Sequence, residues 1–324
     1  MIRMECKGDW LQWNVPPAWD NRTLAEVIEQ ELAFPLSFFQ QLAKQGGILV
    51  QQKRRNIHTV LKAGDRVRFR IFEKEPYGLT PEPLPLEVLF EDEHLLVAAK
   101  PAGMAVHPTS PDMHGTLAHA IAYYYQTQGL MRRVRLVNRL DRDTTGACLV
   151  AKHHLAHVLL DQQLRERAIQ RRYVAYVEGN VANDRGTIDL PIGRDRHHPT
   201  RRRVSRSPHA KPAITHYDVL ARYRSLHGEV TKLRLQLETG RTHQIRVHLS
   251  HLGHPIVGDT LYGARRVPFP RQALHNERLA FAHPLTKEWI DIAVPYPSDL
   301  LQLEHSLQEA DQTPPSNDRP KKAH

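Results

Sequence analysis

The sequence predicts an α+β chain of two domains, and three observations carry that prediction. Its 324 residues exceed the usual span of one domain. Strand-like and helix-like runs mix without the regular strand–helix–strand beat of a doubly wound parallel sheet. Pro76, Pro81, Pro83 and Pro85 fall in an acidic stretch of low hydrophobicity that suits an extended, semi-rigid linker. The expected organisation is an N-terminal part over residues 1–73, a linker over 74–86, a larger domain over 87–303, and a polar, disordered tail over 304–324.

Residues 1–20 carry Trp10, Trp13 and Trp19 and read as an aperiodic extension covering a neighbouring surface. Leu24, Val27, Ile28 and Leu32 recur at helical spacing, with Asn21 as a cap and Pro35 as the breaker. A second short helix follows, with Ser37 as its cap and Gly46-Gly47 as its stop. Short strands around the Gly64-Asp65 turn complete the N-terminal part. In the larger domain the pattern predicts helices over 115–128 and 154–168 and another starting near Thr242. Strands are expected through 87–100, over 134–152 around a loop, over 171–181, 213–223, 229–238 and 289–294.

Composition narrows the function. The charged fraction of 25% and apolar fraction of 40% are ordinary for a globular chain. Cys6 and Cys148 alone cannot build a structural zinc cluster or a disulfide scaffold. The start has no apolar signal region, and no window of 18 apolar residues occurs, so a cytoplasmic location without a membrane partner is expected. Glycine-rich nucleotide fingerprints, C-x-x-C, H-E-x-x-H and G-x-S-x-G are all missing, which weakens kinase, dehydrogenase, zinc-enzyme and serine-hydrolase readings. The net charge is +10. Over half of it lies in residues 194–211, where Arg194, Arg196, Arg201, Arg202, Arg203, Arg206 and Lys211 face Asp195 alone, a net +6. So dense a single-sign segment fits either a solubilising insertion or a mobile loop that meets a polyanion and orders on it.

Two segments look like chemistry. Residues 134–152, VRLVNRLDRDTTGACLVAK, set Arg139, Asp141, Arg142 and Asp143 in a loop between apolar strands. Residues 237–263, LETGRTHQIRVHLSHLGHPIVGDTLYG, place His243 and Arg246 three apart at a helix start. An arginine there opposes the helix dipole and wants an acidic partner, for which Asp141 is a candidate. Residue types alone would also suit surface salt bridges.

Together these segments resemble the RluA-type family of RNA pseudouridine synthases. The family motif is close to H-R-L-D-x-x-T-S-G, and here it reads Asn138-Arg139-Leu140-Asp141-Arg142-Asp143-Thr144-Thr145-Gly146. Further ordered matches are AKPAGMAVHP at 99–108, RRYVAYVEG at 171–179, TGRTHQIRVHL at 239–249, GHPIVGDTLYG at 253–263 and LHNERLAFAHP at 274–284. Two positions depart from the pattern: Asn138 stands for the usual His and Thr145 for the usual Ser. Residues 21–73, two short helices followed by LKAGDRVRF, resemble an S4-type RNA-binding module.

The resemblance implies a mixed, largely antiparallel central sheet flanked by helices, with a cleft across it. It implies isomerisation of uridine to pseudouridine in RNA without metal or cofactor: the N1–C1′ bond breaks, the base turns, and C5 joins C1′. Asp141 aligns with the essential aspartate, which can act as nucleophile at C1′ or on the ring, or as base on a glycal route. Tyr173 aligns with the tyrosine that packs on the base, Arg246 with the arginine that pairs with the aspartate, and Arg139 with the arginine that fills the gap left by the flipped nucleotide. Asn138, Thr144, Arg241 and His243 are the further substrate-binding candidates. Lys44, Arg54 and Arg55, beside Lys53, are candidates for RNA backbone contacts in the S4-like part, as are Arg201, Arg202 and Arg203 in the larger domain. Ribosomal large-subunit RNA is the expected substrate, transfer RNA the alternative, with the chain acting as a monomer. A non-catalytic RNA-binding protein and a base-releasing glycosylase are the rival readings.

Overall fold

Period-2 alternation sets the N-terminal sheet. The computed structural model describes residue 2 and residues 4–312. In it, β1 (Glu5–Lys7) and β2 (Trp10–Asn14) form a hairpin. Leu11 and Trp13, two apart, both turn inward, so the expected aperiodic extension is an integral pair of strands. Of the tryptophans that suggested a surface cover, Trp13 lies on its buried face, Trp10 on the opposite half-buried face, and Trp19 is buried in the turn that follows. α1 (Leu24–Glu26) runs into a π-type turn (Val27–Glu31), and α2 (Leu36–Lys44) follows. The first cap is Thr23, not Asn21: Thr23 and Glu26 form a reciprocal capping box, a T-x-x-E signature already legible in the sequence. α2 starts after Pro35 with no side-chain cap, so Ser37 lies inside it. β3 (Ile48–Val50), β4 (Lys53–Arg54) and β5 (Arg66–Arg70) complete a sheet ordered β1-β2-β5-β3-β4.

The larger sheet is mixed and largely antiparallel. Its first members are β6 (Glu87–Glu91), β7 (Leu95–Lys100), β8 (Arg135–Leu136) and β9 (Thr145–Ala151), with α3 (Leu117–Thr127) between and α4 (His154–Arg165) after. Next come β10 (Gln170–Glu178) and β11 (Arg185–Asp189), then β12 (Ile192–Arg194) and β13 (Arg202–Val204). The long pair β14 (Ile214–Ser225) and β15 (Gly228–Leu237) precedes α5 (Gln244–His251), and β16 (Leu274–Ala282), β17 (Trp289–Ala293) and α6 (Ser298–Gln312) close the chain. The order is β11-β14-β15-β10-β16-β9-β7-β6, with β17 on β16 and β8 on β9. β16, not foreseen as a strand, sits near the centre. Its parallel step against β9 pairs Asn276 with Gly146, where φ is +126° and a Cβ would stand 2.4 Å from the Asn276 carbonyl oxygen. Only glycine allows that approach.

Two further expectations are corrected. The arginine-rich segment is not a free loop: β12 and β13 pair as an antiparallel ribbon, closed by Arg201 on Asp195 at 2.7 Å. The polar tail does not begin at 304, because Leu300, Leu303 and Leu307 fall on one face of α6 and are buried in the main core. The rest of the expected tail, 313–324, lies outside the described residues. The linker lies against the larger domain, through Glu75 to Arg135, Glu82 to His114, and Glu82 to the Gly115 amide. The N-terminal core also takes in Leu155 and Leu159 of α4 and Leu285, so the two parts share apolar contacts.

Candidate active site

The loop between β8 and β9, the middle of β10 and the start of α5 converge on one cleft of about 680 Å³. Asp141, Arg139, Asn138, Thr144, Tyr173, Arg241, His243 and Arg246 all line it.

Arg246 is buried and holds two carboxylates. Its Nη1 donates to Asp141 Oδ2 at 3.0 Å, while Nε and Nη2 donate to Asp259 at 2.7 and 2.9 Å. Burial works against its charge, but the hydrogen bonds and charges of Asp259 and Asp141 outweigh burial and raise its pKa. The ring of Tyr262 covers the guanidinium at 5.0 Å. Asp141 itself remains partly open to the cleft, so one carboxylate of the pair is structural and the other can meet a substrate. Asp259 and Tyr262 were missed as site residues, although both lie in the GDTLYG run. The pairing needed by a buried arginine fork was the available signal.

His243 precedes α5 in the left-handed region, φ +58°, and offers no side-chain cap; Thr242 does not cap the helix either. The Tyr262 hydroxyl accepts from the Arg202 backbone amide at 2.9 Å and contacts His243 Nδ1 at 2.9 Å. The hydroxyl thus joins the ribbon to His243, whose Nε2 lies 4.0 Å from Asp141 Oδ1. Burial lowers the His243 pKa and the Asp141 charge only partly opposes that, so the ring is neutral at pH 7. The chain Arg202–Tyr262–His243–Asp141 ties the arginine-rich ribbon to the cleft.

Tyr173 is buried on β10, and burial pushes its phenol up to about 12. At neutral pH it offers a ring face and a hydroxyl, not a phenolate. The loop bearing Asp141 is fixed from below. Buried Lys100 donates to the carbonyls of Pro101, Met104 and Arg142 at 2.7–2.8 Å. Arg271 donates to the Asp143 carbonyl, and Gln272 to the Thr144 hydroxyl. None of these three anchors was foreseen, because carbonyl-bound side chains leave no spacing signal.

Asn138 is buried at the edge of the cleft. Its Nδ2 donates to the Ala147 carbonyl at 3.0 Å and its Oδ1 accepts from the Leu149 amide at 2.7 Å. Both ends of the amide brace β9, and the residue lines the cleft. Thr144 is likewise buried under the loop, and Arg241 donates to the Pro212 carbonyl. Arg139 is exposed at the cleft. Lys44, Lys53, Arg54 and Arg55 are exposed on α2 and the β3–β4 hairpin, outside the cleft lining. Arg201 and Arg203 are exposed on the ribbon and Arg202 is half-buried.

Among the described residues, Glu82, His114 and His119 are the one group of three side chains close enough to share a metal ion. They do not line the cleft. They are joined to one another and to Thr116, and the His119 Nδ1 accepts from the Thr116 amide at 3.3 Å. That contact leaves the proton on Nε2, 3.6 Å from Glu82 Oε1. No helix among the described residues is long and apolar enough to cross a membrane.

Comparison with known proteins gives a consistent answer. The sequence profile of the RNA pseudouridylate synthases matches residues 94–251. The RNA pseudouridine synthase YhcT of Bacillus subtilis is 43% identical over 93% of this chain and 98% of its own. The ribosomal large subunit pseudouridine synthase D of Haemophilus ducreyi is 37% identical, covering 82% of this chain and 83% of its own. Among solved structures, human RNA pseudouridylate synthase domain containing 1 superposes with a TM-score of 0.56 at 28% identity, over 72% of this chain and 97% of that one.

Proposed function

The chain belongs to the RNA pseudouridine synthases, an isomerase family, and from that premise we propose that it converts uridines of large-subunit ribosomal RNA to pseudouridine with Asp141 as the reacting carboxylate. The observation that carries the assignment to Asp141 is its position: a partly exposed carboxylate held by a buried arginine in a cleft it shares with Tyr173. Arg246 holds the carboxylate in position by a charge-assisted hydrogen bond, and Asp259 keeps Arg246 in place. The target base leaves its stack to reach the cleft, at about a few kcal/mol, which favours distorted or single-stranded RNA. Tyr173 packs on the base. Arg139, exposed at the mouth, fills the place the nucleotide vacates. As the N1–C1′ bond breaks and C5 takes C1′, the proton displaced from C5 leaves the ring and N1 gains one, so the RNA keeps its mass.

The ribosomal substrate is supported by the relatives whose names specify the ribosomal large subunit. We read residues 1–73 as an S4-like RNA-binding domain, 74–86 as the linker, and the domain from 87 through α6 as catalytic, in a cytoplasmic monomer of the RluA type. The support for RNA contact by the first domain is the exposed basic set Lys44, Lys53, Arg54 and Arg55. The test maps pseudouridine in ribosomal and transfer RNA from cells with the gene, without it, and with Asp141→Asn in its place. Sites lost in the last two strains identify the substrate, and an unchanged map defeats the reading.

A further inference from the structure

The arginines of the cleft are not equivalent. Arg246 holds two carboxylates, Arg167 is paired with Glu238, and Arg241 donates to a carbonyl. Arg171 has no such group. It projects from β10 on the same face as Tyr173, lines the same cleft, and is only 6% exposed. Its Nε is buried without a hydrogen bond, and among the described residues no carboxylate or carbonyl accepts from its guanidinium. Gly240 closes over it: a Cβ there would stand 2.8 Å from Arg171 Nη1. A guanidinium keeps its charge in a protein. An unpaired buried charge is unfavourable until an opposite charge reaches it.

We infer that Arg171 is an anion subsite of the cleft, built to take a phosphate of the nucleotide whose base lies against Tyr173. The inference rests on the synthase reading for the source of the phosphate; the unpaired cation stands without it. Residues two apart on a strand are separated by about 7 Å, which matches the reach from a base to a phosphate of the same nucleotide. A base carbonyl could accept the N–H groups but would leave the charge uncancelled, so phosphate is favoured. Gly240 is then part of the subsite, because its missing side chain leaves the guanidinium room to face the cleft.

The test titrates the full chain with uridine, uridine 5′-monophosphate and uridine 3′-monophosphate at fixed ionic strength. One of the monophosphates should bind the unaltered protein about tenfold or more tighter than uridine, the scale of one charge-assisted bidentate contact. Arg171→Met should abolish that advantage and leave uridine affinity within about twofold, while Arg171→Lys keeps part of it. Gly240→Ala keeps the charge but crowds Nη1, and should reduce the advantage as well. It and the lysine variant carry the test if Arg171→Met does not fold. Equal affinity for uridine and both monophosphates, or an advantage that survives in Arg171→Met, overturns the subsite. Loss of uridine binding itself in that variant assigns Arg171 to the base and also overturns it. If the phosphate preference is present but the cellular pseudouridine map does not depend on the gene, the subsite stands and the synthase reading falls.

Discussion

Arginine does opposite work in two neighbouring parts of this protein. In the cleft, Arg246 is buried between Asp141 and Asp259, its fork filled by carboxylate oxygens. On the β12–β13 ribbon, Arg201 and Arg203 are exposed, and for seven cations the segment offers Asp195 alone. A dry, paired guanidinium fixes the position of its partner. A wet row of like charges attracts any polyanion and is weakened by salt. The two parts also touch, because the Arg202 amide is bonded to Tyr262, whose ring covers Arg246.

The largest effect that tests this contrast is at the carboxylate proposed to react. Asp141→Asn should lower single-turnover pseudouridine formation by about a thousandfold or more while RNA affinity stays within about threefold. A rate within about tenfold of the unaltered protein would break the assignment. Next is the hidden partner: Asp259→Asn should reduce kcat about ten- to hundredfold, the usual scale for a supporting contact, with KM little changed. If KM rises instead and kcat holds, Arg246 serves RNA binding and the contrast with the ribbon disappears.

On the ribbon, replacing Arg201, Arg202 and Arg203 together by Ser should weaken all RNAs alike and flatten the plot of log K against log salt by about 2, at roughly 0.7–0.9 for each phosphate no longer neutralised. A salt slope equal to that of the unaltered protein would show that the ribbon stays clear of RNA. The smallest effect concerns pH. Burial pushes the Lys100 ammonium down to about 8, from the ordinary 10.5. Below that pH three N–H groups fill three carbonyls; above it the amine has two, and the tie to Arg142 loosens. Activity should therefore fall a few-fold as pH rises through about 8. Stability should move the other way. Because the folded pKa is the lower one, the unfolded chain binds more protons between about 8 and 10.5, and this group's contribution grows more favourable with pH across that window. Lys100→Met should remove both trends in parallel pH series of rate and thermal unfolding, and a rate limb that persists near 8 in that variant would exclude Lys100 as its source.

Motif and period together made much of this protein legible from its residues. Alternation and helical spacing announced most of the elements of the larger domain, and the 134–152 and 237–263 segments contain Asp141, Arg246 and the missed Asp259. Local chemistry also held the Thr23–Glu26 box, which was overlooked beside Asn21. What no segment could state was which groups meet. Arg246 lies 105 residues from Asp141 in sequence. Lys100 and Arg271 act on carbonyls of a loop far along the chain, and a carbonyl is the same at every residue. That Asn138 braces two backbone groups of β9 was likewise not legible from its position in the motif. Arg171 looked like one more basic residue, and only packing under Gly240 set its charge apart. Side-chain type and spacing are local properties, so the sequence alone determined most of the helices and strands of the larger domain and the candidate site residues. Burial and pairing depend on contacts between distant segments, so the tertiary structure alone decided which charges are satisfied, which are wet, and which are buried without a partner.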